Sequence, residues 1–141
     1  MSKRQIERIQ MQSAQDFIRE MAEQIREVER RVQGREFIPA YSKLVDRLFG
    51  GGCHKTIERI KAGDDAAIEF GLVFVEVRPY FFRSQYNRTS LIRALKHARL
   101  SSSQAERLKT VLDLEHEKKM RRKTNAAANT MHPLRCPRRK F

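Results

Sequence analysis

Asp64-Asp-Ala-Ala-Ile-Glu-Phe-Gly-Leu-Val-Phe-Val-Glu-Val-Arg78, with Pro79 directly after it, is the stretch on which the fold turns. Read with period two, Val73, Val75 and Val77 alternating with Phe74 and Glu76 resemble a strand. Read with period 3.6, Ile68, Leu72 and Val75 together with Phe70, Val73, Phe74 and Val77 suit a helix buried on most sides. Three features favour the helix. The run from Ala66 to Arg78 is long for a strand, Asp64-Asp65 offer N-cap side chains, and Pro79 pushes the residue before it out of the helical region. No second strand is evident elsewhere to pair with it, so the chain is expected to be all-α.

Working towards the N-terminus, Lys3 to Gln33 contains neither Gly nor Pro. Its apolar residues Ala14, Ile18, Met21, Ile25, Val28 and Val32 recur in steps of four and three, the seam of a long helix. Such a seam lies across its own domain or pairs with a partner. Ile18, Met21, Ile25 and Val28 are therefore candidate interface residues for a protein partner or a homodimer, with the intramolecular reading favoured because the heptads persist so briefly. Interleaved Glu20, Glu23, Glu27 and Glu29 with Arg19, Arg26, Arg30 and Arg31 mark a solvated face, with Glu27 and Arg31 spaced for an i,i+4 pair. Gly34 is a plausible left-handed cap, and Pro39 can open a helix over Ala40 to Phe49 that Gly50-Gly51-Gly52 closes. A short helix from about His54 to Ala62 leads to Gly63.

Towards the C-terminus, Tyr80 to Tyr86 reads as an irregular link, and a helix is expected from about Asn87 or Thr89 to Arg99, with Leu91, Ile92, Leu95 and Ala98 inward. Ser101 with Gln104, or Ser103 with Glu106, forms a capping box for the last helix. Its apolar pattern ends by Glu117. The expected organisation is a compact domain of about six helices over residues 1–120 and a basic, flexible tail over 121–141, disordered without a partner.

The chain of 141 residues carries a formal charge of +13, unevenly placed. Residues 80–100 contribute +5 and residues 118–141 contribute +9, both without an acidic residue, while the rest nearly cancels. Clustered positive charge beside flat rings suits a polyanion, since counterions are released and bases stack on aromatics. The expected function is therefore a non-enzymatic nucleic-acid-binding protein. RNA or non-specific duplex is favoured over a specific operator, and a small helical adaptor or inhibitor with a protein target is the alternative. No apolar run reaches the length of a membrane span and no export signal is visible, which sets an expectation of a cytoplasmic protein without a membrane partner.

The candidate surface has two parts. In Tyr80-Phe-Phe-Arg-Ser-Gln-Tyr-Asn-Arg88, Arg83 and Arg88 could hold phosphates while Tyr80 or Tyr86 stacks on a base; the competing reading anchors Phe81 and Phe82 in the core and turns the arginines to water. Arg93, Lys96 and Arg99 extend the charge. The second part is the start of the tail, Lys118, Lys119, Arg121, Arg122 and Lys123. A helix-turn-helix reading would use Ser103, Gln104 and Arg107 on base edges, but that segment is net acidic and fits poorly. Cys53-His54 and His132-x-x-x-Cys136 fit only half a zinc motif, so no metal or other cofactor is expected. No phosphate loop, nucleophile elbow or carboxylate pair appears, and an enzyme is not expected.

Overall fold

The computed structural model of the chain describes residues 2–130, and over them the protein is all-α, with no strand among the described residues. The helices are α1 (Lys3–Arg31), α2 (Phe37–Leu48), α3 (Cys53–Lys61), α4 (Asp65–Val77), α5 (Ser84–Lys96) and α6 (Ser102–Thr130), with one 3-10 turn at Gly34–Glu36 before α2. None of the described helices is long and apolar enough to cross a membrane.

α4 is the Asp64 to Arg78 stretch, and it is helical for the reasons the residues suggest. The Asp64 side chain accepts a hydrogen bond from the Ala66 amide at 3.0 Å, and Arg78 closes the helix in the left-handed region (φ 55°) just before Pro79. Ala67, Ile68, Gly71, Leu72, Val73, Phe74 and Val75 are all buried, because α1, α3 and α5 pack around α4. Gly71 permits the closest approach. A Cβ there would stand 3.1 Å from Ile60 Cδ1 of α3 and 3.7 Å from Leu95 of α5. Phe49 and Phe81 close on Phe74, with ring centroids at 5.2 and 6.4 Å.

The α1 seam belongs to this core. Ile18, Met21, Ala22 and Ile25 are buried inside the chain's own fold, and Val28 is half-buried. α1 packs on α2 and α4, so the apolar strip that could have met a partner is already removed from water. Ile18, Met21 and Ile25 are thus core residues rather than a partner interface. The expected pair of Glu27 with Arg31 forms on the outer face, beside Glu27–Arg30 and Glu23–Arg26. Gly50, Gly51 and Gly52 all take positive φ (59°, 118° and 107°), a reversal that side-chain-bearing residues would resist.

α5 begins at Ser84, earlier than the periodicity suggests, so the irregular link shrinks to Arg78 through Arg83. α6 opens on the Ser101–Gln104 capping box: the Ser101 amide donates to Gln104 Oε1 at 3.0 Å and the Gln104 amide to Ser101 Oγ at 3.2 Å. The helix then runs to Thr130, past Glu117 and through the start of the expected tail at 121. Lys, Arg, Ala and Met are strong helix formers, and the first helix breaker beyond Gly71 and Pro79 is Pro133. The chain divides into two compact units, one ending at Leu108 and the other starting at Lys109 within α6.

Candidate nucleic-acid interface

Between α4 and α5 the chain turns through a loop that is held tightly yet leaves its rings outside. Arg78 and Arg83, at its two ends, are the non-glycine residues with positive φ (55° and 65°) among those described. The backbone of the loop is bonded from several sides. Arg26 Nη1 of α1 donates to the Tyr80 carbonyl at 2.7 Å, and the Tyr41 hydroxyl of α2 donates to the Phe82 carbonyl at 2.8 Å. The Phe82 amide donates to the Glu29 carboxylate, and the Phe81 amide to Ser84 Oγ at 3.1 Å. Tyr41 is part-buried, which pushes its phenol above the ordinary range and keeps the hydroxyl a donor at neutral pH. Phe81 is buried against Phe74, and Phe82 packs edge-on against Phe37 and Tyr41 at 5.4 and 5.3 Å. Both rings thus anchor the loop, although Phe82 keeps 40% of its surface exposed and the Arg83 guanidinium lies 5.2 Å from its ring centre.

Tyr80 and Tyr86 are different: they are 79% and 72% exposed. On α5, Tyr86, Thr89, Arg93 and Lys96 recur at helical spacing and all face water, while Asn87, Leu91, Ala94 and Leu95 face the core. Arg83 and Arg99 are also exposed. The structure therefore brings Tyr80, Arg83, Tyr86, Arg93 and Lys96 onto the outside of one loop and helix. Arg88 departs from expectation. It is only 4% exposed, with Nη2 donating to Gln85 Oε1 at 2.7 Å, because once α5 starts at Ser84 position 88 shares the inward face with Leu91 and Leu95. A groove of about 570 Å³ runs beside the loop, with Arg78, Tyr80, Arg83, Gln85, Arg88 and Glu29 in its lining.

Gln104 and Arg107, which a duplex-reading helix would turn outward, are engaged with α4 instead. Gln104 Nε2 donates to Asp65 Oδ1 at 3.1 Å and Glu69 Oε1 at 2.9 Å, and Arg107 bonds Glu69 at 2.8 Å and Glu76. Burial works to raise the Glu69 pKa, but the bonds from Gln104 and Arg107 outweigh it and hold the carboxyl below its ordinary value. This removes two of the three candidate base-reading side chains from the surface.

In the second unit, Lys118, Lys119, Arg121, Arg122 and Lys123 lie on a helix and are all exposed. His132, Arg135, Cys136, Arg138, Arg139 and Lys140 lie outside the described residues. Cys53 starts α3, where burial pushes its thiol up to about 11, and His54 pairs with Glu58 at 3.0 Å. Among the described residues no three His, Cys, Asp or Glu side chains converge on a common point.

Arg26, Glu29 and Tyr41, which hold the loop, carry no sequence signal of that role, since they act across 41 to 54 residues of chain. Compared with protein-family models, with curated proteins and with solved structures, the chain matches none.

Proposed function

We propose that the protein binds nucleic acid, with single-stranded or looped RNA the best fit, through the Tyr80 to Arg99 surface, assisted by the basic helix from Lys118 to Lys123. One observation carries the reading: two tyrosines stand largely in water, Tyr80 on a loop whose backbone is bonded from α1 and α2 and Tyr86 on the first turn of the helix that follows. Rings that serve packing alone are normally buried, and a pinned loop pays little ordering entropy when a base stacks on it (about 1–3 kcal/mol per base). Arg83, Arg93, Lys96 and Arg99 supply phosphate attraction without a carboxylate in the same stretch.

The test is affinity for labelled single-stranded RNA, single-stranded DNA and duplex DNA across a salt series, for the full chain and for an Arg83→Glu/Arg93→Glu variant. We expect a preference for a single strand, and a log–log salt slope that shrinks by about 0.7 for each phosphate contact the double variant loses. Unchanged affinity in the variant would remove the folded surface from the interface, and no binding by the full chain would reject the function.

A further inference from the structure

Phe82 is at once packed and open. Its contacts with Phe37 and Tyr41, at 5.4 and 5.3 Å, steady the ring, and its backbone is bonded on both sides, the amide to Glu29 and the carbonyl to the Tyr41 hydroxyl. Yet 40% of its surface is exposed, and over the ring lies the Arg83 guanidinium, 5.2 Å from the ring centre, on a residue that is itself exposed. A ring committed to packing alone is covered by apolar atoms, not by a cation on a flexible stem. Two further observations point to a ligand on that ring. Tyr80, Phe82 and Arg83 all line the groove beside the loop, whose volume of about 570 Å³ is in the range of small-ligand sites. Arg83 has φ 65°, a left-handed conformation that glycine takes with less strain, and such costs gather where ligands are held. Relative strength decides which contact wins: an exposed cation–π contact is weaker than a base stacked on the same ring, so a base displaces the guanidinium.

We propose that Phe82 is a base-stacking platform covered in the free protein by Arg83, and that a base takes the ring while the guanidinium moves to the phosphate adjoining that base. The inference rests on the nucleic-acid reading and deepens it. Two stacking rings on one groove, Tyr80 and Phe82, fit a strand whose bases are unpaired, since the bases of a duplex are already stacked on one another.

The experiment mixes the full chain with an oligouridylate carrying 5-iodouridine, which photo-crosslinks to the aromatic ring it stacks on, and assigns the crosslinked residue by tandem mass spectrometry. In parallel, affinity for the unmodified oligouridylate is measured across a salt series for wild type, Phe82→Leu, Phe82→Tyr and Arg83→Gly, with melting curves to confirm folding. Phe82→Leu keeps an apolar side chain against Phe37 and Tyr41 but removes the aromatic face, and Arg83→Gly removes the guanidinium at a backbone position that suits glycine. Wild type is expected to crosslink at Phe82. Phe82→Leu should bind about tenfold more weakly with its salt slope unchanged, and Phe82→Tyr should bind as wild type does. Arg83→Gly should keep the Phe82 crosslink while its log–log salt slope shrinks by about 0.7, the share of one phosphate contact. Crosslinks confined to Tyr80 and Tyr86, with Phe82→Leu binding as tightly as wild type, overturn the platform and leave the nucleic-acid reading in place. A wild-type chain that neither binds nor crosslinks the strand overturns both.

Discussion

Two neighbouring aromatic stretches, Phe70 and Phe74 within α4 and Tyr80 to Tyr86 beyond Pro79, meet water in opposite ways. Phe74 has no exposed surface, being enclosed where α1, α3 and α5 surround α4. The second stretch is held by other means: its backbone is hydrogen-bonded to α1 and α2, Phe81 is buried and Phe82 packs edge-on against Phe37 and Tyr41, while its tyrosines face outward. Firmness and burial are therefore separable. A side chain in α4 is fixed by what it touches, whereas Tyr80 is fixed by what its backbone touches. Stability should follow the first stretch and recognition the second.

The largest expected effect breaks the first half of that contrast. Phe74→Ala removes a fully enclosed ring with Phe49 and Phe81 around it and should cost about 3–5 kcal/mol in denaturant unfolding. A cost below about 1 kcal/mol would mean that α4 is not the packed centre of the fold.

Next, Tyr80→Ala and Tyr86→Ala should each weaken single-strand binding by about 1–3 kcal/mol, while unfolding stays within about 0.5 kcal/mol of the parent. A Tyr80→Ala variant that unfolds as easily as Phe74→Ala would erase the distinction between the stretches.

The smallest effect concerns the polar edge of α4. The Glu69 carboxyl is held below its ordinary 4.5 in the folded chain, so its contribution is complete above about pH 4.5 and is lost as the pH falls through the lowered value. Glu69 is partly exposed, which limits this contribution to below about 1 kcal/mol. The gap in melting temperature between wild type and Glu69→Gln should close on acidification below that pH. A gap that stays constant to pH 3 would show that the carboxylate charge contributes nothing, and strand binding at neutral pH should not respond to Glu69→Gln at all.

Much of the fold was legible because its signals are local. Asp64, the length of the apolar run and Pro79 settle a helix against a strand, and Ser101 with Gln104 opens α6 as a capping box does. The site was legible only in part. Tyr80, Arg83, Tyr86, Arg93 and Lys96 do lie on the outside, but Arg88 turned inward when α5 gained a turn at its start. That shift had a signal in the spacing of position 88 to Leu91 and Leu95, outweighed in the reading by the charge of the side chain. α6 also persists through its basic stretch, where loss of apolar pattern suggested loss of structure, because helix propensity needs no apolar face.

The sequence by itself determined the helical class, most helix ends and the uneven charge, since caps, breakers and periodicity act within a few residues of one another. Only the tertiary structure decided that Ile18, Met21 and Ile25 are core, that Gln104 and Arg107 serve α4, and that a groove lined by three arginines opens beside the loop. Those outcomes depend on contacts between residues tens of positions apart, which form only when the helices have chosen their neighbours.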